Sequence, residues 1–310
     1  MAGRSAAALA LVALVVGAPA AGPAGALAGA SPGSSGPGVS VAEREQPERV
    51  ITMAPNLTEI VFALGAGGRL VAVSEYSDFP EAARELPRLG GFINPDIEGV
   101  LAYRPDLVIL RDYSTRLESK LGAFGVPVLR VRDEAIADVL EAIRTIGAVL
   151  SLEARAEAMV ASIEAELETY RRRAEPSHRP RVLLVAGRSP GTLQDLFAPG
   201  GGTFLDELIR LAGGANLFGD SAIPYPKVSK EEIIARDPEV ILESVRASNH
   251  PGSDPDLSVW RMLGPVTAVR QGRIHLLRGD HLLIPGPRLL HTLRDLERAI
   301  HAPGGAEERP

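Results

Sequence analysis

Short apolar runs alternate with helix-like segments in two successive parts of the chain. In the first part the runs are 50–53, 70–73, 107–110 and 128–131, and the helix-like segments are 57–65, 96–103, 114–124 and 135–149. In the second part the runs are 181–185, 240–242 and 274–277, with helix-like segments at 204–211 and 231–236. Buried strands that alternate with helices form parallel sheets covered by helices. The pattern therefore predicts an α/β protein with two Rossmann-like lobes.

A long helical pattern separates the two parts. From Ser151 to about Arg173 the apolar residues recur at helical spacing, and the segment contains neither Gly nor Pro. A helix of about 22 residues, at 1.5 Å per residue, spans roughly 33 Å. Pro176 and Pro180 follow it. We predict one long helix that joins the lobes as a rigid strut.

The segment from Glu98 to Ile109 matches the segment from Glu231 to Leu242 in register and without gaps. The match predicts that each lobe carries the same helix–proline–strand unit. An alternative is that any helix, turn and buried strand would look this way, since Pro-Asp and Pro-Glu turns are common.

The glutamates that begin the two copies have two compatible explanations. Each falls in the first turn of its predicted helix, where a carboxylate interacts favourably with exposed N–H groups. Ser229 and Glu232 also have the spacing of a capping box. Alternatively, Glu98 and Glu231 lie at equivalent places on opposite lobes, where they could meet arginines on a two-fold symmetric partner.

The amino terminus resembles a secretory leader. Arg4 precedes the apolar run 6–16, and small residues follow, so we expect cleavage after Ala28 or Ala30. The apolar run is shorter than the roughly 20 residues of a membrane-spanning helix. The predicted parts are a signal peptide (1–30), a flexible linker (31–48), an N-terminal α/β lobe (49–150), an interlobe helix (151–175), a C-terminal α/β lobe (176–303) and a tail (304–310).

Composition narrows the compartment and the partners. The chain has no cysteine, which excludes disulfides, thiolate metal sites and a lipidated cysteine anchor. Its net charge of −6 argues against nucleic acid and against general membrane adhesion. We expect a soluble monomer without stable membrane insertion, retained in the periplasm; full secretion is the alternative.

Candidate ligand-binding residues follow the predicted strands. Ligands of parallel sheets bind beyond the carboxyl ends of the strands, so two facing lobes would form a cleft. Several of the few aromatic residues fall in these loops, as a large, partly apolar ligand requires. Phe92 and Trp260 have an alternative role as fillers of the lobe cores. The candidate loops are 54–56, 76–79, 90–92, 111–113, 188–190, 197, 200–202, 260 and 280–281.

Signals of enzymatic chemistry are few. The chain lacks the motifs Gly-x-Ser-x-Gly, Gly-x4-Gly-Lys-Ser/Thr and His-Glu-x-x-His. Its six histidines lack the spacing of paired metal ligands. Asp280 beside His281 could act as an acid/base pair, which is the alternative enzyme hypothesis. We expect no enzyme, no cofactor and no metal site.

Six stretches of the chain together carry a resemblance to a known family: 49–59, 76–80, 94–98, 104–109, 213–216 and 228–231. In this order they resemble the periplasmic binding proteins for cobalamin and iron chelates. The resemblance covers about residues 49–300 and implies a class III binding protein, with two lobes bridged by one helix. It implies capture of a ligand for an ABC importer, whose permease dimer and ATPase subunits would be the partners. In that family, carboxylates at the positions of Glu98 and Glu231 dock onto permease arginines.

The resemblance is nearest to the cobalamin branch, and it implies cobalamin as a transported ligand. Tyr76 and the loop 280–284 match positions that line the cobalamin site, although His281 and Leu282 replace an expected aromatic pair. Haem-binding relatives use a tyrosine ligand where this chain has Phe79, and a phenyl ring cannot coordinate iron. The expected ligand-binding residues are Tyr76, Phe79, Phe92, Arg188, Trp260, Asp280, His281, Leu282, Leu283 and Ile284.

A ferric siderophore is the alternative ligand within the same family. Anionic ferric chelates could be bound by Arg111, Arg188 or Arg246.

Overall fold

The first sheet follows the predicted alternation of strands and helices. The computed structural model describes residues 46–91, 94–173, 177–245 and 255–304. The first set of elements is β1 (Val50–Thr52), α1 (Pro55–Ala63), β2 (Leu70–Val73), α2 (Ile97–Ala102), β3 (Leu107–Arg111), α3 (Thr115–Ala123), β4 (Val128–Val131) and α4 (Ile136–Val149). The strands are parallel, in the order β2-β1-β3-β4. The central strands β1 and β3 are almost entirely buried because helices cover both faces, and they therefore read as continuous apolar runs.

The second sheet is also parallel. The second set is α5 (Glu153–Arg171), β5 (Arg181–Val185), β6 (Leu196–Phe197), α6 (Phe204–Leu211), β7 (Ala215–Asn216), β8 (Lys227–Val228), α7 (Lys230–Arg236), β9 (Val240–Val245), α8 (Thr267–Arg270), β10 (Ile274–Arg278) and α9 (Leu289–Ile300). Strands β6 and β8 form a separate antiparallel pair. The strand order of the second parallel sheet is β10-β9-β5-β7. The β6–β8 pair, β7, α8 and α9 are not among the predicted elements.

The repeated segment forms the same unit in both lobes. Strands β3 and β9 occupy equivalent places, because each sheet has its parallel strands in the chain order second, first, third, fourth. The helix before each strand is capped by a side chain, Asp96 in α2 and Ser229 in α7. Arg104 and Asp237, each just before the proline, both have a left-handed backbone with φ of 45°. A generic helix–turn–strand unit would not require this shared conformation.

Helix α5 accounts for the long helical pattern between the two sets. It runs over Glu153–Arg171, within the predicted range 151–175. One side is buried and belongs to an apolar cluster that includes Leu57 of the first lobe and Leu208 of the second. Burying a Val, Leu or Ile side chain stabilises a fold by about 1.5–3 kcal/mol. Its action as a rigid strut stays a prediction, as do the domain boundaries. The buried side chains of α5 are Ala156, Val160, Ile163, Leu167 and Tyr170.

The termini contribute little to the described structure. The predicted signal peptide, most of the predicted linker and most of the tail lie outside the described residues. Within the described ranges, every helix is too short or too polar to cross a membrane.

Candidate functional site

Loops at the carboxyl ends of strands from the two sheets contact each other at two places. At the first place, Phe204 at the start of α6 donates its backbone N–H to the carbonyl of Glu134, which follows β4, at 2.6 Å. The backbone N–H of Ile136 donates to Glu207 Oε1 at 3.2 Å. At the second place, Gly286 packs against Asn56. A Cβ atom added to Gly286 would lie 3.6 Å from the Cβ of Asn56. The strand ends of the two lobes therefore face one another, where parallel sheets bind ligands.

Arg288 connects the two lobes at the second place. It comes from the C-terminal lobe, just before α9, and its Nε and Nη2 donate to the two carboxylate oxygens of Glu59 in α1, at 2.8 and 2.6 Å. Its Nη1 donates to Asp280 Oδ1 at 2.6 Å. The ring of Phe79 lies 3.8 Å from the guanidinium carbon. One arginine thus contacts two residues of the first lobe and one of its own.

Glu59 is placed by the early start of α1. The predicted loop 54–56 is in fact the beginning of this helix, with Pro55 at its first position, where the missing N–H costs nothing. Helical spacing then buries both Asn56 and Glu59 against the second lobe. Burial raises the pKa of the Glu59 carboxyl, and the hydrogen bonds and charge of Arg288 oppose that rise.

Asp280 and His281 are not arranged as an acid/base pair. His281 Nε2 lies 2.9 Å from Asp295 Oδ2 on α9, whereas its Nδ1 is 3.9 Å from Asp280 Oδ1. The pKa of the Asp280 carboxyl lies well below its usual range because His281 and Arg288 both face it. The pKa of His281 is raised by Asp280 and Asp295. Each shift favours the charged form of its group, and each group already has another partner, Arg288 for Asp280 and Asp295 for His281.

A second buried network lies at the end of β3. Arg111 Nε is 2.6 Å from Asp133 Oδ2, and Asn56 Nδ2 donates to the same oxygen at 2.7 Å. The guanidinium carbon of Arg111 lies 4.5 Å from the centre of the Tyr113 ring. Tyr225 belongs to the second lobe and lies near enough to Arg111 to interact with it electrostatically. Burial raises the pKa of both Tyr113 and Tyr225. Asp133 and Tyr225 are buried, and only 13% of the Arg111 side chain is exposed.

Arg188 and Trp260 lie inside the second lobe, so the prediction that they contact ligand disagrees with their placement. Trp260 has no exposed surface, and its Nε1 donates to Glu243 Oε2 at 3.0 Å. Arg188 Nε donates to Glu243 Oε1 at 2.7 Å, and its Nη1 and Nη2 donate to the carbonyls of Thr192 and Asp256. The buried carboxylate of Glu243 satisfies both donors in the core. The alternative role predicted for Trp260, as a core filler, agrees with this position.

The aromatic residues predicted on the first lobe differ in exposure. Phe79 is 40% exposed, and its ring stacks on Arg288 at the boundary between the lobes. Tyr76 is half-buried, and its ring would be 3.5 Å from a Cβ atom on Gly91. Phe92 lies outside the described residues.

The apolar part of the predicted loop 280–284 is mostly buried. Leu282 and Ile284 are 3% and 7% exposed, and Leu282 belongs to the main apolar cluster. Leu283 is half-buried and packs against the same cluster. The loop therefore anchors itself through Leu282 and Ile284, and Leu283 is its more accessible apolar residue.

Glu98 and Glu231 occupy matching positions on the surface. Each is the second residue of its helix, and both are exposed. Asp96 accepts from the N–H of Gly99, and Ser229 forms the predicted capping box with Glu232, so other side chains cap both helices. Among the described residues, neither glutamate has a hydrogen-bond or ion-pair partner.

Several residues of the site are not among the predicted ones. Asp133 follows β4, so the rule for strand ends could have identified it. Glu59 and Arg288 carry no such signal, because Glu59 lies inside a helix and Arg288 lies 229 positions away in the chain. Only the fold brings them together. In the described part of the chain, no group of three or more His, Asp or Glu side chains could hold a metal ion.

Comparisons with known proteins agree with this architecture. The family model described as periplasmic binding protein matches residues 50–280. A vitamin B12-binding protein of Vibrio parahaemolyticus is 30% identical over 253 residues, which cover 80% of this chain and 88% of the relative.

Two solved structures are similar in fold and in sequence. The periplasmic vitamin B12 binding protein BtuF of Vibrio cholerae has a TM-score of 0.69 and 27% identity, covering 82% of this chain and 97% of that protein. A periplasmic haem-binding protein of Pseudomonas aeruginosa has a TM-score of 0.70 and 28% identity, covering 82% and 93%. These relatives are binding proteins, and the predicted α/β fold class is confirmed. The chain belongs to the family of periplasmic binding proteins, and it is a binding protein rather than an enzyme.

Proposed function

We propose that this protein captures a corrinoid, with cobalamin as the leading candidate, between its two lobes and delivers it to the permease of an ABC importer. The vitamin B12-binding relatives support the choice of ligand class. The solved haem-binding relative makes haem the main competitor, so the charges in the cleft are the observation on which the proposal depends.

The charged groups at the strand ends of the two lobes are paired with one another and leave an excess of negative charge. Arg288 is bonded to the carboxylates of Glu59 and Asp280, and Arg111 is paired with Asp133. Two guanidinium groups thus face three carboxylates, and a buried charge that loses its partner is costly. An anionic ligand would have to break these ion pairs, or the excess negative charge would repel it. A corrinoid, whose periphery is mostly neutral amide, would meet neither cost.

The arginines predicted for anionic chelates support the same choice. Arg111 is paired with Asp133, and Arg188 is bonded to Glu243 inside the lobe. Arg246 lies outside the described residues. The phenyl ring of Phe79 also cannot coordinate iron. The pairing of the arginines disfavours anionic ferric siderophores, and Phe79 disfavours haem.

The proposed contact surface is smaller than the predicted one. Phe79, Tyr76, His281 and Leu283 are the predicted residues that are exposed or half-buried near the cleft, so we assign them to ligand contact. Asp280 contributes through Arg288, because its carboxylate is already bonded to that guanidinium. Leu282 and Ile284 support the loop from below, whereas Arg188 and Trp260 support the second lobe.

For delivery, we propose that Glu98 and Glu231 contact arginines of the permease. Their exposed carboxylates require no internal bond to be broken before docking, because Asp96 and Ser229 already cap the helices. The cleavage sites after Ala28 or Ala30 and the periplasmic location remain predictions.

Retention of coloured ligands tests the proposal. Purified mature chain is mixed separately with cyanocobalamin, hemin and a ferric hydroxamate, and each mixture is passed through a gel-filtration column. We expect cyanocobalamin alone to elute with the protein and to quench the fluorescence of Trp260, the only tryptophan. Hemin or ferric hydroxamate in the protein peak, with cyanocobalamin absent from it, would replace the ligand while keeping the class of protein.

A further inference from the structure

We infer that Arg288 is a positioning residue that sets the separation of the two lobes. It thereby sets the distance between the docking helices α2 and α7, which carry Glu98 and Glu231. Its effect on ligand binding rests on the proposed function, but its effect on the lobes does not. The inference comes from the three contacts of one guanidinium group, two of which cross the cleft.

The contacts of Arg288 fix its direction in space. Both oxygens of Glu59 are bonded, at 2.6 and 2.8 Å, so the planar guanidinium is held in one plane relative to α1. Asp280 holds the remaining nitrogen at 2.6 Å from the side of the second lobe. Phe79 covers the face of the same group. A lysine has a single point charge and cannot reproduce this arrangement.

Burial makes the bond between the lobes strong enough to matter. The side chains of Arg288 and Glu59 are only 13% and 3% exposed, so water does not compete freely for either. Exposed ion pairs contribute little, whereas a buried group that loses its partner is left with an uncompensated charge. Separation of the lobes at this point would require that loss.

The first place of contact supplies the axis for any movement. The bonds from Phe204 to Glu134 and from Ile136 to Glu207 join the lobes independently of Arg288. When the Arg288 contact is lost, the lobes stay attached there and through α5. The expected motion is therefore a rocking of one lobe about these remaining contacts, not dissociation.

Rocking would change the distance between Glu98 and Glu231. Both glutamates sit in the first turn of short helices that are packed on their own lobes, so each helix moves with its lobe. A two-fold symmetric partner with fixed arginines accepts one separation best. Arg288 thus links the geometry of the cleft to the geometry of docking.

The absence of cysteine makes the distance measurable with little change to the chain. Ala102 in α2 and Ala235 in α7 are both exposed, and each is replaced by cysteine for spin labels. Pulsed electron spin resonance on the ligand-free protein then reports the separation of the two docking helices. We expect one narrow distribution in the parent chain and a broader distribution with a longer mean after Arg288→Gln.

Two further variants separate positioning from stability. Glu59→Gln combined with Arg288→Gln removes both charges, so no uncompensated buried charge remains, yet the bond between the lobes is still absent. It is expected to keep the broad distribution while recovering stability. The matched control is Arg294→Gln, which removes a bidentate pair with Glu166 between α9 and α5, away from the cleft. It should leave the narrow distribution unchanged.

Affinity for cyanocobalamin provides the second measurement. If only about one tenth of the molecules keep the lobe separation that binds ligand, the apparent Kd rises about tenfold. Arg288→Gln and the double variant should both show this loss, and Arg294→Gln should not. A broad distribution in the two Arg288 variants, with no corrinoid binding by the parent chain, would support the positioning role and overturn only the proposed ligand. A narrow distribution identical to that of the parent chain in both variants would overturn the positioning role.

Discussion

Glu243 should be a structural residue of the second lobe, and its replacement tests whether Arg188 and Trp260 serve the core of that lobe. The change Glu243→Ala removes the acceptor of both Arg188 Nε and Trp260 Nε1. It leaves a guanidinium whose side chain is 3% exposed without its counter-ion and an indole N–H without its acceptor.

The size of the effect follows from the bonds that remain. Breaking a buried ion pair by removing one partner typically costs about 3–5 kcal/mol. Arg188 keeps its bonds to the carbonyls of Thr192 and Asp256, both at 3.0 Å, which favours the lower end of that range. We expect a loss of about 3 kcal/mol in the free energy of unfolding, or a fall in Tm of roughly 6–12 °C for a chain of this size.

Urea unfolding followed by the fluorescence of Trp260 measures this loss at the altered site. Arg261→Ala is the control, because Arg261 is exposed on the same segment as Trp260, and its urea midpoint should match that of the parent chain. The affinity of the folded Glu243→Ala protein for cyanocobalamin should stay within about twofold of the parent value, a free-energy difference of about 0.4 kcal/mol. A loss of stability below 1 kcal/mol, or a large loss of affinity in folded protein, would refute the assignment.

Three further predictions concern the pH dependence, the caps and the docking glutamates. The raised pKa of His281 means that its contribution to stability is complete below its ordinary pKa of 6.5 and is lost as the pH rises through the folded value. Urea midpoints of the parent chain and His281→Asn should therefore converge with rising pH; a constant gap would contradict this. Ser229→Ala should cost about 0.5–2 kcal/mol of stability, whereas Glu231→Ala should change it by less than about 0.5 kcal/mol, as measured by urea unfolding. Reversal of both charges, Glu98→Lys with Glu231→Lys, should abolish uptake in cells and leave ligand affinity intact; lost affinity would indicate a role in the cleft.

Seven of the eight strands of the two parallel sheets could be predicted from the sequence, and the central ones are the most buried; β7, a partly buried edge strand of two residues, could not. The runs at 70–73, 128–131 and 181–185 coincide with β2, β4 and β5, and the others differ by a few residues at their ends. A short apolar run between helices is a local feature of the sequence, so it can be identified without knowing which strand pairs with it. The repeat could be recognised because Glu, Ala, Pro and the apolar positions coincide within one short segment of each lobe. The matching caps and left-handed backbone conformations are found only in the structure.

The destinations of polar side chains could not be predicted in the same way. Arg188 and Trp260 follow strands of the second lobe, as cleft residues would, but the buried carboxylate of Glu243 binds both. The sequence around a glutamate in a strand does not indicate that its carboxylate will accept hydrogen bonds from two distant loops. Phe79 was identified by its place after β2, although its stacking on Arg288 was not.

The sequence by itself determined the α/β class, the two sets of parallel strands, the helix between them and the equivalence of Glu98 with Glu231. These features depend on periodicity and on residues close together in the chain. Only the tertiary structure decided which charges are neutralised, which aromatics are accessible and where the lobes are bonded. Those outcomes depend on contacts such as Arg288 with Glu59, which are 229 positions apart and acquire their strength from a burial that no local pattern specifies.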